Sequence, residues 1–334
     1  MPHFRPVRIA AVIPETADAC SLVLDTTFDY RPGQYLTVRT PAGPRCYSLS
    51  SAPGVDDLPV VTVKRVPGGQ VSNWICDHVR AGDTLDMAGP SGAFTPDSFD
   101  DDLLFLAAGS GITPIMGIVK ALRGDPVLVY ANRDAESIIF GARLDGLLPV
   151  IHWLDSERGI PTADSLKELL LPYTEREAFV CGPEAFVAVA EKALQSAGVP
   201  ASRIRIERFE ADQSATNRSG PGQFGTGQFE AEPAGAQAEP TGGPAAVAEV
   251  AIDGQTHVLP WAPGKRLLDV IIDAGLNPPY SCRQGQCGAC AVRVVSGEVT
   301  LVNNEILEEE DFAEGYILAC QALPVTDSVS VTYY

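Results

Sequence analysis

Residues 211–245 contain no Val, Ile, Leu or Met; Gly, Ala, Pro, Ser, Thr and Gln dominate. Such a stretch cannot bury enough apolar surface to offset the entropy of ordering it, so it predicts a mobile linker. The chain is thereby cut into a long part, residues 1–210, and a short part, residues 246–334. At about 150 residues per domain, the long part has room for more than one domain. With 45% apolar residues, the chain can bury sizeable cores.

The long part changes texture once. Residues 1–98 show short β-type runs between turn signals: Val7–Ile13, Ser21–Leu24, Tyr35–Val38 and Val60–Val66. They predict an antiparallel sheet or barrel. One helix interrupts it, with Val71, Trp74, Ile75, His78 and Val79 on a single face. A histidine there reads as a packing residue. Residues 99–210 alternate buried-strand runs (Leu103–Ala107, Val127–Ala131, Val150–Leu154, Ala178–Cys181, Ile204–Ile206) with helical stretches. That alternation predicts parallel βαβ units and a sheet covered on both faces. After the linker comes a small unit of strands with one helix near Arg266–Ala274.

Four of the eight cysteines form one pattern, Cys282, Cys287, Cys290 and Cys320, spaced C-x4-C-x2-C-x29-C. This is the plant-type spacing for a [2Fe–2S] cluster. Two irons need four thiolates, and here three come from one tight loop. Gly285, Gly288 and Ala289 are small enough to let the backbone wrap close and turn its N–H groups toward the sulfurs. Zinc also takes four cysteines, but usually as two separated pairs closed by C-x2-C turns, unlike this three-and-one split. The first ten residues, MPHFRPVRIA, lack the apolar core of an export signal, so disulfides are the weaker reading. Cys20, Cys46, Cys76 and Cys181 read as packing residues by default.

Gly109-Ser110-Gly111-Ile112-Thr113-Pro114 follows an apolar strand and opens a helix. Glycines let the backbone approach a pyrophosphate, and the helix N-terminus offers oriented N–H donors. Thr113 can cap, and Pro114 suits a first helical position. No acidic residue ends the next strand, where Asn132 and Arg133 stand, so the usual ribose-binding carboxylate is missing. A second turn of this kind is Cys181-Gly182-Pro183-Glu184. In the first region, Arg45-Cys46-Tyr47-Ser48 puts a cation and an aromatic ring on one strand face, with a hydroxyl beside them. Such a group suits a flavin, although an ordinary barrel strand would look similar. Gly68-Gly69-Gln70-Val71-Ser72 is a further glycine pair ahead of a helix.

Charge excludes some classes. Lys and Arg number 24 against 43 Asp and Glu, a net of −19, which argues against nucleic acid and against anionic membranes as partners. The run from Leu103 to Val119 is uncharged but too short and too broken to span a membrane.

In order, R-x-Y-S, G-x-x-S before a helix, G-P-S-G-x-F, G-S-G-I-T-P and C-G-P resemble the ferredoxin-reductase-like flavoproteins. Residues around Tyr280-Ser281-Cys282 and Leu318-Ala319-Cys320-Gln321 resemble plant-type ferredoxins. The whole, apart from the linker, resembles the reductase components of multicomponent oxygenases, especially those of 3-ketosteroid 9α-hydroxylases and phenylacetyl-CoA epoxidases. The resemblance implies a flavin-binding antiparallel β-barrel (1–98), an NAD(P)-binding α/β domain (99–210), the linker (211–245) and a β-grasp ferredoxin-like domain (246–334). It implies FAD rather than FMN, a [2Fe–2S] cluster, and NADH rather than NADPH, since Asp134 would repel a 2′-phosphate that Arg133 could grip.

It also implies residue roles. Arg45 would meet the flavin phosphate, Tyr47 would stack on the ring, and Ser48 would sit near the flavin N5 atom. Val71 and Ser72 would contact the FAD pyrophosphate. Gly109, Gly111, Thr113 and Pro114 would hold the NAD(P)H side, with Cys181 and Gly182 beside the nicotinamide and Phe209 covering the flavin. Cys282, Cys287, Cys290 and Cys320 would be the cluster ligands.

The implied route follows from electron counting: a hydride carries two electrons, an iron–sulfur cluster accepts one, and a flavin handles both. The expected partner is a terminal oxygenase, and the expected place is the cytoplasm. A rival reading is a non-catalytic electron carrier whose first two domains bind nothing. The intact Arg45, Tyr47, Ser48 and glycine turns argue against it.

Overall fold

The computed structural model describes residues 4–208, 246–252, 254–276, 278–280, 282–285, 287–304 and 306–333. The 211–245 segment and Phe209 lie outside these residues. The contacts divide the chain into two units. The first holds residues 1–211 and 279–289, the second 212–278 and 290–334.

The first unit opens with six antiparallel strands: β1 (Arg5–Thr16), β2 (Ala19–Leu24), β3 (Tyr35–Thr40), β4 (Gly43–Ser48), β5 (Val60–Lys64) and β6 (Thr84–Ser91). Their order is β4-β3-β6-β1-β2-β5, and a bridge from Leu49 to Val61 joins the two edges into a barrel. Alternation explains the inside: Val7 and Ile9, Leu22 and Leu24, Leu36 and Val38, and Val61 and Val63 point into one core. Helix α1 (Gln70–His78) covers an end of it with Val71, Ile75 and the following Val79.

His78 departs from the expected packing role. It is exposed, its ring stacks on Trp74 at 5.2 Å, and its Nδ1 lies 2.9 Å from the Trp74 carbonyl. The helical face is narrower than the periodicity suggested, so its outermost member reaches water.

The strands β7 (Leu103–Ala108), β8 (Val127–Asn132), β9 (Val150–Leu154), β10 (Glu177–Gly182) and β11 (Ile204–Arg208) are all parallel, as the sequence predicts. Between them run α2 (Ile112–Ala121), the short α3 (Gly141–Asp145) and α4 (Asp155–Arg158), α5 (Ala163–Leu170) and α6 (Glu184–Ser196). Successive residues of β7 serve opposite faces. Leu103, Phe105 and Ala107 pack with α2, whereas Leu104, Leu106 and Ala108 pack with α5 and α6. A strand buried on both faces must be apolar throughout, which is why β7 reads as an unbroken apolar run.

The order is β11-β10-β7-β8-β9. The chain steps outward from β7 to β9, then returns to the other side of β7. The switch point therefore lies between β7 and β10, where open α/β sheets take ligands at the strand carboxyl ends. Helix α2 also sits hard against the barrel: the Lys120 ammonium pairs with Asp56 at 2.8 Å.

The second unit contains β12 (Ala246–Ile252), β13 (Gln255–Trp261), β14 (Ala291–Ser296), β15 (Val299–Leu301), β16 (Tyr316–Leu318), β17 (Ala322–Pro324) and β18 (Ser328–Thr332). Helices α7 (Leu267–Asp273) and α8 (Glu309–Ala313) accompany them. Its sheet runs β13-β12-β18-β14-β16, with β12 and β18 parallel and the other pairs antiparallel. The buried face of α7 supplies Leu267, Leu268, Val270 and Ile271. No helix among the described residues is long and apolar enough to cross a membrane.

Candidate functional site

Two glycine turns meet at the switch point. The first, Gly109–Gly111, is a 3-10 turn running straight into α2. Gly109 has φ +52, a left-handed conformation that favours glycine. A Cβ on Gly111 would lie 2.1 Å from the Cys181 carbonyl oxygen and 2.7 Å from the Gly182 nitrogen. Only glycine lets the turn after β7 touch the turn after β10. The Tyr130 hydroxyl, buried under the same turn, donates to the Gly109 carbonyl at 2.9 Å and accepts from the Ile139 N–H at 3.3 Å.

Thr113 is not a cap. Its hydroxyl donates to the Ser110 carbonyl at 2.9 Å, and no side chain caps α2. The Ile112 N–H is taken by the Gly109 carbonyl of the 3-10 turn, and no side chain serves the N–H groups that follow. Pro114 is the third residue of α2 rather than the first, because the helix begins earlier than its proline suggests. It still falls in the first turn, where no N–H is needed.

Three neighbours of this turn carry no sequence motif that marks them. The Lys64 ammonium, at the end of β5, would lie 3.1 Å from a Cβ on Gly109. Burial, then the nearby Arg133 charge, pushes the Lys64 pKa down. Asn132 is buried, and neither polar atom of its side chain has a hydrogen-bond partner among the described residues. Glu207 stands opposite Cys181 on the adjacent strand. Burial, reinforced by Cys282, pushes its carboxyl up to about 7, while burial and Glu207 together push the Cys181 thiol up. Of these, Lys64 falls inside the predicted run Val60–Val66, whereas Asn132 and Glu207 come just after the runs ending at Ala131 and Ile206, and no run says anything of the neighbouring turn.

On β4, Arg45 and Tyr47 share one strand face and Ser48 is buried. The register sets Val38 beside Arg45, Leu36 beside Tyr47 and Tyr35 beside Ser48. At α1, the Val71 side chain belongs to the barrel core, which leaves only its backbone available for binding. The Ser72 hydroxyl accepts from the Val66 N–H at 3.2 Å, and the Asn73 amide donates to the carbonyls of Val66 (3.0 Å) and Gly69 (2.6 Å). These bonds hold the Gly68-Gly69 loop, and no side chain caps α1. A helix start without a side-chain cap suits a pyrophosphate.

In the first unit, Cys282, Cys287 and Ala289 lie on a tight loop with Arg283 at φ +50, Gly285 at φ +83 and Gly288 at φ +68. The N–H of Cys282 points to the Cys287 sulfur at 3.4 Å, that of Gln284 to the Cys282 sulfur at 3.4 Å, and that of Ala289 to the Cys287 sulfur at 3.5 Å. Tyr35, Cys287 and Ala289 form a small buried cluster with Cys46 and Cys282 against it, and the Thr37 hydroxyl donates to the Cys287 carbonyl at 3.0 Å.

In the second unit, the Cys320 N–H points to the Cys290 sulfur at 3.5 Å and the Gln321 amide to the Cys320 sulfur at 3.4 Å. None of the eight cysteines is in a disulfide. Amide donors aimed at soft thiol donors fit an iron–sulfur group, whose sulfurs carry negative charge. Among the described residues no three His, Cys, Asp or Glu side chains stand close enough to hold a single metal ion. A [2Fe–2S] group spreads its four thiolates over two irons and needs no such trio.

Comparison with known proteins agrees with this chemistry. A family model described as an oxidoreductase FAD-binding domain matches residues 15–95, and one described as a 2Fe-2S iron-sulfur cluster binding domain matches residues 250–325. The chain is 44% identical to the ferredoxin reductase component of 3-ketosteroid-9-alpha-monooxygenase from Mycolicibacterium smegmatis, covering 99% of this chain and 97% of that protein. It is 31% identical to a component of the 1,2-phenylacetyl-CoA epoxidase of Escherichia coli, covering 100% of this chain and 98% of that one. The solved structure of phthalate dioxygenase reductase, 20% identical, superposes with a TM-score of 0.61, covering 99% of this chain and 98% of that one, and shares the fold. FAD-binding and [2Fe–2S] domains, parallel-sheet topology and full-length likeness all agree: the chain belongs to the ferredoxin reductase components of multicomponent oxygenases, which are NAD(P)H-dependent oxidoreductases.

Proposed function

We propose that this reductase draws electrons from NADH and delivers them singly to the terminal oxygenase of a 3-ketosteroid 9α-hydroxylase. The observation that carries this reading is the 44% identity over 99% of the chain to such a component. Bound flavin would take a hydride and release its electrons one at a time, and the iron–sulfur group would pass them on.

The residues of this chain position and tune that transfer. Arg45, Tyr47, Ser48 and the first turn of α1 at Val71 and Ser72 hold FAD. Gly109, Gly111, Thr113 and Pro114, with Cys181 and Gly182 across the switch point, seat the nucleotide. Lys64 adds positive charge at the first glycine turn. Cys282, Cys287, Cys290 and Cys320 ligate the cluster, and the amides pointing at their sulfurs favour the reduced, more negative state. The domain boundaries we assign are 1–98, 99–210 and 246–334, joined by 211–245. The buried Cys181 thiol, held protonated, borders the nicotinamide as an uncharged wall. We place the protein in the cytoplasm, with neither nucleic acid nor membrane as a partner, in keeping with its net charge of −19.

The test is reconstitution. With NADH and a 3-ketosteroid 9α-oxygenase, the purified protein should support hydroxylated steroid formation. Turnover only with an epoxidase or another oxygenase would move the assignment to that partner.

Two expectations follow from the charges. The Arg133 guanidinium is paired with Asp134 at 2.7 Å, and the Ser137 N–H donates to the same carboxylate at 2.9 Å. The Arg133 partner, then Ser137, hold the Asp134 pKa low. A 2′-phosphate would meet a carboxylate there. NADH should therefore be preferred over NADPH by about tenfold or more in kcat/KM, and Asp134→Ala should narrow the ratio. An unchanged ratio would remove Asp134 from specificity.

Residues 246–334 carry four basic against twelve acidic residues, a net of −8. Electron delivery to the oxygenase should slow as salt rises from about 0.05 to 0.5 M, because screening shortens the reach of a docking field. A rate indifferent to ionic strength would contradict electrostatic docking.

A further inference from the structure

Two cysteines outside every site above face each other in the barrel. Cys20 lies on β2 and Cys76 on α1, 56 residues apart in sequence, and their sulfurs are 3.6 Å apart. Both are partly exposed and pack on the edge of the barrel core. A disulfide needs about 2.05 Å between sulfurs, so the gap to close is small, about 1.5 Å. Both thiols are free.

The surroundings make the pair unequal. The hydrogen bond from Cys76 lowers the Cys20 pKa; burial opposes this, Arg65 and Arg80 assist it, and Glu15 opposes it. The same bond and burial push Cys76 up. Arg65 is held in place by Asp77, the residue next to Cys76, at 2.7 Å. One thiol is thus inclined to be the thiolate that attacks, while the other stays protonated and waits beside it.

We infer that Cys20 and Cys76 form a peroxide-oxidisable dithiol site that closes into a reversible disulfide. The oxidant is hydrogen peroxide, the product formed when a reduced flavin meets dioxygen. The Cys20 thiolate attacks one peroxide oxygen, the O–O bond breaks, and hydroxide leaves and is protonated to water. Cys20 is then a sulfenic acid. The Cys76 sulfur attacks the Cys20 sulfur; the S–S bond forms, the S–O bond breaks, and hydroxide leaves with the Cys76 proton as a second water. In sum two thiols lose two electrons and two protons, and one peroxide becomes two waters. The bond would tie α1, the helix whose first turn contains Val71 and Ser72, to β2. A dithiol returns it to the open state.

The test uses the holoprotein and a peptide-level readout, which keeps cluster damage separate. The protein is treated with a few equivalents of hydrogen peroxide, free thiols are alkylated, and the digest is mapped without reduction. The expected result is a linked peptide pair joining Cys20 to Cys76, about 2 Da lighter than the sum of the two peptides and lost on treatment with dithiothreitol. Cys76→Ser, whose hydroxyl can still donate to the Cys20 sulfur, should abolish the link and leave Cys20 as a sulfenic acid trapped by a dimedone-type reagent, and Cys76→Ala, which removes that donor, should abolish the link as well. Absence of the link while other cysteines are oxidised, or a sulfenic acid that does not accumulate in Cys76→Ser, would overturn the inference.

Discussion

Cys320→Ser is expected to abolish electron delivery to the oxygenase while leaving NADH oxidation at the flavin intact. The serine oxygen is a harder, poorer iron ligand than a thiolate. Cys320 is buried, its N–H points to the Cys290 sulfur, and its own sulfur receives the Gln321 amide at 3.4 Å. The Arg266 guanidinium donates to its carbonyl at 2.9 Å, so the backbone of this position is fixed from the other side as well. Loss of one sulfur should therefore cost the cluster rather than the unit. The checks are iron content, the visible spectrum and two assays. NADH-dependent ferricyanide reduction should stay within about twofold, and reduction of the oxygenase should fall by about 100-fold or more, since one electron carrier is missing from a serial path. Iron retained at two per chain in the variant would remove Cys320 from the ligand set.

Gly111→Ala is expected to damage the opposite half of the path. Its Cβ would lie 2.1 Å from the Cys181 carbonyl oxygen, an atom of backbone that cannot rotate away. The turns after β7 and β10 must then separate. Forced packing of this kind typically costs about 1–3 kcal/mol of stability. The functional cost is larger, because both turns border the proposed nicotinamide. A misplacement of about 1 Å between reacting groups can cost about 100-fold in rate. The variant should keep flavin and iron, and dithionite should still reduce both. NADH-driven flavin reduction in stopped flow should slow by about 100-fold. A rate near that of the parent protein would show that the nucleotide does not use the switch point.

Several features of both halves could be read from the sequence, for definite reasons. β7 to β11 are short apolar runs with helical stretches between them, so existence, type and parallel direction followed from periodicity. The spacing of Cys282, Cys287, Cys290 and Cys320 carries its chemistry in the chain itself. The partners across the fold were harder to see. Strand register, not local pattern, places Glu207 opposite Cys181, and nothing local marks the approach of Lys64 to Gly109. Thr113 has the composition of a cap, yet the 3-10 turn before it offers the Ser110 carbonyl first. Cys20 and Cys76 are ordinary packing residues by sequence. Only the packing of α1 on the barrel brings their sulfurs together.

An anaerobic titration with NADH tests the central claim most directly. The purified chain should contain about one FAD and two irons, and NADH should bleach the flavin band and the iron–sulfur band together. Electron paramagnetic resonance should then show a reduced [2Fe–2S] signal approaching one spin per chain. Flavin bleaching with no such signal, in protein whose iron content is complete, would contradict the proposed relay.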